Sequence, residues 1–144
     1  MKKLLIATAL LSSVSAQAYN PNQATTKWQM NDLAVGVAMS TDYQLTAVVN
    51  TSGISFSEAG NVCSHSDEGK MYGNVPYVFN GQRVKMVTGC YGGLVWAMPM
   101  SEAGTDFVLK QFITKNQVTV NGYTVTANGF TATVQNILTQ GAAL

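Results

Sequence analysis

The feature that most constrains this chain is a pair of alternating segments joined by Asn80-Gly81, within residues 74–98. Asn-Gly is the strongest short-range signal for a two-residue type I′ turn, because both turn residues need a positive φ. Such a turn sets Pro76 opposite Lys85, and because proline cannot donate to a ladder, its strand is predicted to lie at a sheet edge. The alternation then gives one shared face to Val75, Tyr77, Phe79, Val84, Met86 and Cys90.

The first 18 residues follow the pattern of a bacterial signal peptide. Lys2 and Lys3 precede an apolar run, and Ala16-Gln17-Ala18 is a small-x-small cleavage site. Cleavage before Tyr19 leaves 126 of the 144 residues. The apolar run is too short to span a bilayer and no later run is long enough, so we predict a periplasmic or secreted protein that does not span a membrane.

The mature chain has the length of one domain. Residues 19–27 contain turn formers without an apolar period and are predicted to be a flexible leader, followed by a single globular domain over 28–144. The mature chain carries six basic and seven acidic residues, a formal charge of −1. This balance argues against a polycation that binds nucleic acid.

The two cysteines of an exported chain are most simply one disulfide, Cys63–Cys90. In the chain-entropy model a bond that closes 27 residues is worth roughly 3–4 kcal/mol.

The whole pattern predicts an α+β fold with a mainly antiparallel β-sheet. Residues 28–39 alternate as a strand, with Leu33, Val35, Val37 and Met39 on one face. The small residues Ala34, Gly36 and Ala38 lie on the other face, which indicates close packing there. Further strands are predicted at 43–49 and from Ile54. A second Asn-Gly hairpin is predicted over 117–127.

Two helices are predicted near the C-terminus. Ser101 suits the N-cap of a helix over 102–114, whose apolar side carries Phe107, Val108 and Phe112, and on a wider reading Leu109 and Ile113. The final segment has apolar residues at helical spacing from Phe130, although its threonines favour a strand. We interpret it as a short C-terminal helix.

The stretch 63–68 contains the candidates for chemistry. Cys63-Ser64-His65 suggests a thiol–imidazole dyad, but a disulfide sulfur is not a nucleophile. His65, Asp67 and Glu68 are weak candidates for a metal site, because their spacing fits no zinc or EF-hand signature. The sequence therefore predicts no catalytic residue, no metal site and no cofactor.

Aromatic residues beside glycine turns are the candidates for binding. Tyr72 and Tyr91 each border glycine and are expected to be exposed, and Trp96 lies in the next apolar segment. Such rings give large contact area at a small entropy cost, so these three are the predicted partner-binding residues.

One stretch resembles a known family. Residues 89–138 combine a cysteine near a glycine turn, a Pro-Met-Ser helix start, VTVNG and then NGF before an apolar tail. This run resembles the invasion-associated-locus-B-like periplasmic proteins and short exported proteins of bacterial mobile elements. The paired tryptophan and extra cysteines of the first group are missing, so the resemblance assigns no residue a role.

Three function classes follow. The first is a non-catalytic binding protein of the bacterial periplasm or envelope, whose partner is an envelope protein or a glycan. The alternative is a fimbrial or surface-assembly subunit, since residues 33–39 alternate like a donor strand. The third is a hydrolase or metal-binding protein that uses residues 63–68.

Overall fold

The computed structural model describes residues 20–142, so the predicted signal peptide and its cleavage site lie outside the described residues. In this part of the chain, nine strands form one antiparallel sheet that curls into a half-barrel with two α-helices, which confirms the predicted α+β class. The strands are β1 (Gln29–Met30), β2 (Gly36–Met39), β3 (Leu45–Asn50), β4 (Gly53–Glu58), β5 (Met71–Phe79), β6 (Gln82–Tyr91), β7 (Leu94–Pro99), β8 (Gln117–Val120) and β9 (Tyr123–Thr126). The helices are α1 (Glu102–Thr114) and α2 (Phe130–Ala142), with short 3-10 helices at Pro21–Gln23 and His65–Asp67.

The strand order is β1-β2-β3-β4-β7-β6-β5-β8-β9. The two ends of the sheet approach one another, because Ser40 after β2 forms a bridge with Val125 of β9. The chain thus wraps around one continuous hydrophobic core, to which strands from β1 to β9 and both helices contribute.

Both Asn-Gly hairpins are confirmed with the predicted register. Asn80 and Gly81 have φ of 47° and 85°, and Tyr77 lies opposite Val84. Asn121-Gly122 joins β8 to β9 in the same way, with Val118 opposite Val125. Local turn chemistry therefore fixes both hairpins.

The prediction that the strand of Pro76 lies at a sheet edge is wrong. Pro76 does face Lys85, but β5 lies between β6 and β8. Among the described residues β5 pairs with β8 at Phe79 and Val120 alone. Proline is tolerated because the ladder to β8 is not formed where Pro76 lies.

The predicted strand over residues 28–39 is interrupted. Residues between β1 and β2 form a turn in which Leu33 is 82% exposed, and the buried side of β2 carries Gly36 and Ala38 instead of Val37. Close packing on the face of the small residues was predicted, and helix α2 supplies it: a Cβ on Gly36 would lie 2.6 Å from Cγ2 of Thr133. Small residues face inward because a helix packs directly on them.

The segment predicted to be a flexible leader contacts the domain where it is described. Ala24 is fully buried, and its carbonyl accepts a hydrogen bond from Met39 N at 2.9 Å. The carbonyl of Thr26 accepts from Oγ1 of Thr126 and from Nδ2 of Asn128. Packed structure thus begins before Trp28, the residue at which the domain was predicted to start.

Helix α1 has the predicted bounds and the predicted cap. The Ser101 side chain accepts from Gly104 N at 3.0 Å, and Val108 and Phe112 point into the core. Ile113, included in the wider apolar side, is 58% exposed. The final segment is a helix, as interpreted from its spacing.

Tyr77 supplies a pH-dependent contribution to stability. Burial, followed by the nearby charge of Glu58, raises its pKa from about 10 to about 12. Because the unfolded chain loses the phenol proton first, this stability is complete below pH 10 and is lost as pH rises to 12, by about 2–3 kcal/mol. We expect Tyr77→Phe to lose less stability than wild type across this window in urea unfolding at each pH. The exposed Tyr43→Phe should behave like wild type; equal alkaline losses in all three proteins would contradict the assignment.

Candidate functional site

The predicted disulfide is present and fastens the loop after β4 to the sheet. Cys63 and Cys90 are bonded, with their Cα atoms 6.0 Å apart. Gly69 N donates to the Cys90 carbonyl at 2.7 Å, and Cys90 N donates to the Lys70 carbonyl at 3.0 Å. The bond removes the thiol that a Cys–His dyad would need, so the dyad is excluded.

The two acidic candidates for a metal site have other partners. The Glu68 carboxylate accepts from Gly92 N at 2.7 Å and from Gly93 N at 3.3 Å, so it holds the turn between β6 and β7. Asp67 accepts from Ser64 Oγ at 2.8 Å and from Lys70 Nζ at 3.1 Å. The Ser64 hydroxyl, with help from Lys70, lowers the pKa of Asp67.

These hydrogen bonds give the acidic residues of the 63–68 stretch a structural role. His65 is exposed on the adjacent 3-10 helix. Within residues 20–142 no group of three or more histidine, cysteine or acidic side chains is placed to hold a metal ion.

A second serine–aspartate pair also closes a turn. The buried Ser40 Oγ donates to Asp42 Oδ1 at 2.6 Å and accepts from Leu45 N at 2.9 Å. The Ser40 hydroxyl, with Gln44 N, lowers the pKa of Asp42. The hydroxyl is therefore committed to the turn between β2 and β3.

The sheet has one covered face and one open face. Helices α1 and α2 contact the inner face, which carries the core residues. On the outer face, partly or well exposed apolar side chains lie side by side: Val37, Val48, Met71, Val87, Tyr91, Leu94, Trp96 and Met98. The outward positions of β2, β3, β4 and β7 include no charged residue.

Tyr91 and Trp96 both lie next to Gly89 on this outer face. Trp96 lies opposite Gly89, two residues before Tyr91 on the same strand. A Cβ on Gly89 would lie 2.9 Å from Cε2 of Tyr91 and 2.9 Å from Sδ of Met71. The tyrosine ring therefore lies over the bare backbone of Gly89, with its hydroxyl 3.6 Å from the Met71 sulfur.

A groove runs beside these rings where the ladder between β4 and β7 opens. The two strands pair at Phe56 and Ala97, and Ser57 Oγ donates to the Val95 carbonyl at 2.9 Å. Pro99, toward the other end, has no N–H to donate. We call this the β4–β7 groove. It joins depressions of about 300 and 130 Å³, which share Asn50, Ser55 and Met98. Tyr91 and Trp96 line the larger depression, and Ser52 and Thr105 of α1 line the smaller one.

The three aromatic candidates do not form one cluster. Tyr91 and Trp96 line the β4–β7 groove. Tyr72 pairs with Thr88, which belongs to the opposite face of β6. Tyr72 is exposed, yet on the other side of the sheet from Tyr91.

The polar residues of the groove were not among the binding residues predicted from the sequence. Asn50 and Ser52 belong to a segment interpreted only as a turn, and Ser55 and Met98 received no function. The alternation of side chains along each strand could have indicated them, because a position between two core residues faces outward. Parity alone does not reveal that β4 and β7 are neighbours.

Comparison of the chain with family models, curated proteins and solved structures finds no match. Among the described residues, no helix is both long and apolar enough to cross a bilayer.

Proposed function

We propose that this protein is a non-catalytic binding protein of the bacterial periplasm or cell envelope, which recognises an envelope protein or a glycan through the β4–β7 groove. One observation carries the proposal. Tyr91 and Trp96 line the same groove on the sheet face that no helix covers, instead of lying in the core, and no charged residue lines that groove. Partly exposed aromatic pairs of this kind supply much of the affinity at recognition surfaces.

The surroundings of Tyr91 favour a rigid surface. Its neighbour Cys90 is tied to Cys63, and Glu68 holds the turn that follows Tyr91. A surface fixed before binding loses less conformational entropy when it meets its partner. The Cys63–Cys90 disulfide thus supports recognition as well as stability.

The other predicted classes gain less support. The polar groups that a hydrolase or a metal site would use are engaged in local hydrogen bonds. They are the carboxylates of Asp67 and Glu68 and the hydroxyls of Ser40 and Ser64. The stretch predicted as a donor strand is a turn followed by β2, which already pairs with β1 and β3. No contact in the described chain favours either alternative over a binding surface.

The test is capture of partners by crosslinking from the native envelope with the mature, oxidised protein. We expect Trp96→Ala and Tyr91→Ala to reduce specific capture at least tenfold, because the groove loses its aromatic wall. Tyr43→Ala is the matched control, since Tyr43 is 50% exposed, close to the 45% of Tyr91, but lies outside the groove. Melting temperatures would show that each variant is folded. Unchanged capture by a folded Trp96→Ala protein would refute the proposal.

A further inference from the structure

We infer that the β4–β7 groove binds a neutral oligosaccharide. The inference rests on the proposed function and adds the chemical class of the ligand. It comes from three properties of the lining: two aromatic side chains, short neutral hydrogen-bonding side chains, and no charged side chain among its residues.

The aromatic wall suits the apolar face of a sugar ring. The face of an aromatic ring carries partial negative charge, which attracts the weakly positive C–H groups on one side of a pyranose. Trp96 is half-buried. Its cross-strand partner on β6 is Gly89, which has no side chain to cover the indole ring. Tyr91 extends the same surface toward Met71.

The opposite wall suits hydroxyl groups. Asn50, Ser52 and Ser55 offer amide and hydroxyl groups that both donate and accept. The Asn50 side chain is held in place, because its Oδ1 accepts from Ser52 N at 2.8 Å. The hydroxyls of a sugar need such paired donors and acceptors, whereas an apolar ligand would leave these groups without partners.

Charge and size favour a neutral sugar over an ionic ligand or a protein. A phosphate or an acidic sugar would call for arginine or lysine, and neither residue lines the groove. The larger depression, about 300 Å³, is at the lower end of the range for small-molecule sites. Protein interfaces bury roughly 800 Å² on each partner and are enriched in arginine, which this lining lacks.

The experiment is an array of immobilised neutral and acidic oligosaccharides, probed with the mature oxidised protein. The neutral set contains oligomers of glucose, mannose, galactose and N-acetylglucosamine. The strongest neutral binder is then titrated calorimetrically. We expect binding to neutral members, at least tenfold weaker with Trp96→Ala and several-fold weaker with Ser55→Val, and unchanged with Tyr43→Ala.

Tryptophan fluorescence locates the site independently. The chain has two tryptophans, and Trp28 is buried in the core while Trp96 lines the groove. A bound sugar should protect the Trp96 emission from iodide quenching and leave the Trp28 emission, isolated in Trp96→Phe, unchanged. This readout remains available if one groove variant fails to fold.

Several results would overturn the inference. These are no binding to any neutral member, binding to acidic members only, or neutral binding that a folded Trp96→Ala protein retains. If a protein partner is captured in a Trp96-dependent manner while no neutral sugar binds, the proposed function stands and the sugar inference is wrong. If neither depends on Trp96, both are wrong.

Discussion

Replacing Phe112 by alanine is expected to destabilise the protein by about 3–5 kcal/mol, the range for a large aromatic removed from a packed core. Phe112 is 1% exposed and joins the helix α1 to three other rings. Its ring centroid lies 5.5 Å from that of Trp28, 5.3 Å from that of Phe130 and 6.4 Å from that of Phe56. The deletion would leave a cavity between both helices and the sheet. Urea unfolding measures the loss.

Ile113→Ala is the matched control for this prediction. The residue follows Phe112 on the same helix, and its side chain is 58% exposed. Its loss should change stability by less than about 0.5 kcal/mol. Similar losses for the two variants would contradict the position of Phe112 at the centre of the core.

Loss of the disulfide is expected to cost roughly 2–5 kcal/mol. The bond closes a separation of 27 residues, so its removal enlarges the unfolded ensemble. Cys90→Ser should be the more damaging variant, because Cys90 is fully buried and the new hydroxyl would replace a sulfur there. Cys63 is only half-buried, so the Cys63→Ser substitution should lower the free energy of unfolding little more than reduction of the disulfide does in the wild-type protein.

The same variants connect stability with binding. Several hydrogen bonds lie next to the disulfide. They are the backbone bonds of Gly69 and Cys90, and those that the Glu68 carboxylate accepts from Gly92 and Gly93. We expect the reduced protein, at temperatures where it is still folded, to bind its partner more weakly, because the turn after Tyr91 is less fixed. Thermal unfolding with and without dithiothreitol tests the stability part. Equal melting temperatures would contradict it.

Local sequence determined the parts of the fold that depend on a few adjacent residues. Asn-Gly set both hairpins, because positive φ is required at two successive positions and these residues accept it. Ser101 marked the start of α1 through one hydrogen bond to Gly104. Two cysteines behind a predicted export signal were enough to predict their bond.

Only the tertiary structure decided which faces are covered. A period of two shows which strand residues share a face, but not whether a helix lies on it. Around Gly36 the small residues were expected to allow close packing on their face, but only the tertiary structure shows that helix α2 is the element that packs there. Leu33, predicted to lie in that strand, is exposed in a turn because β1 ends early.

The candidate site shows the same division. The sequence by itself singled out Tyr91, an aromatic residue beside a glycine turn, and Trp96 in the apolar segment that follows. It did not bring Asn50 and Ser55 to them, since that requires β4 to lie beside β7, about forty residues further along the chain. Nor did it separate Tyr72 from Tyr91, which depends on strand parity across a bulge between Tyr72 and Asn74. Long-range pairing is set by the packing of the whole core, and no local pattern encodes it.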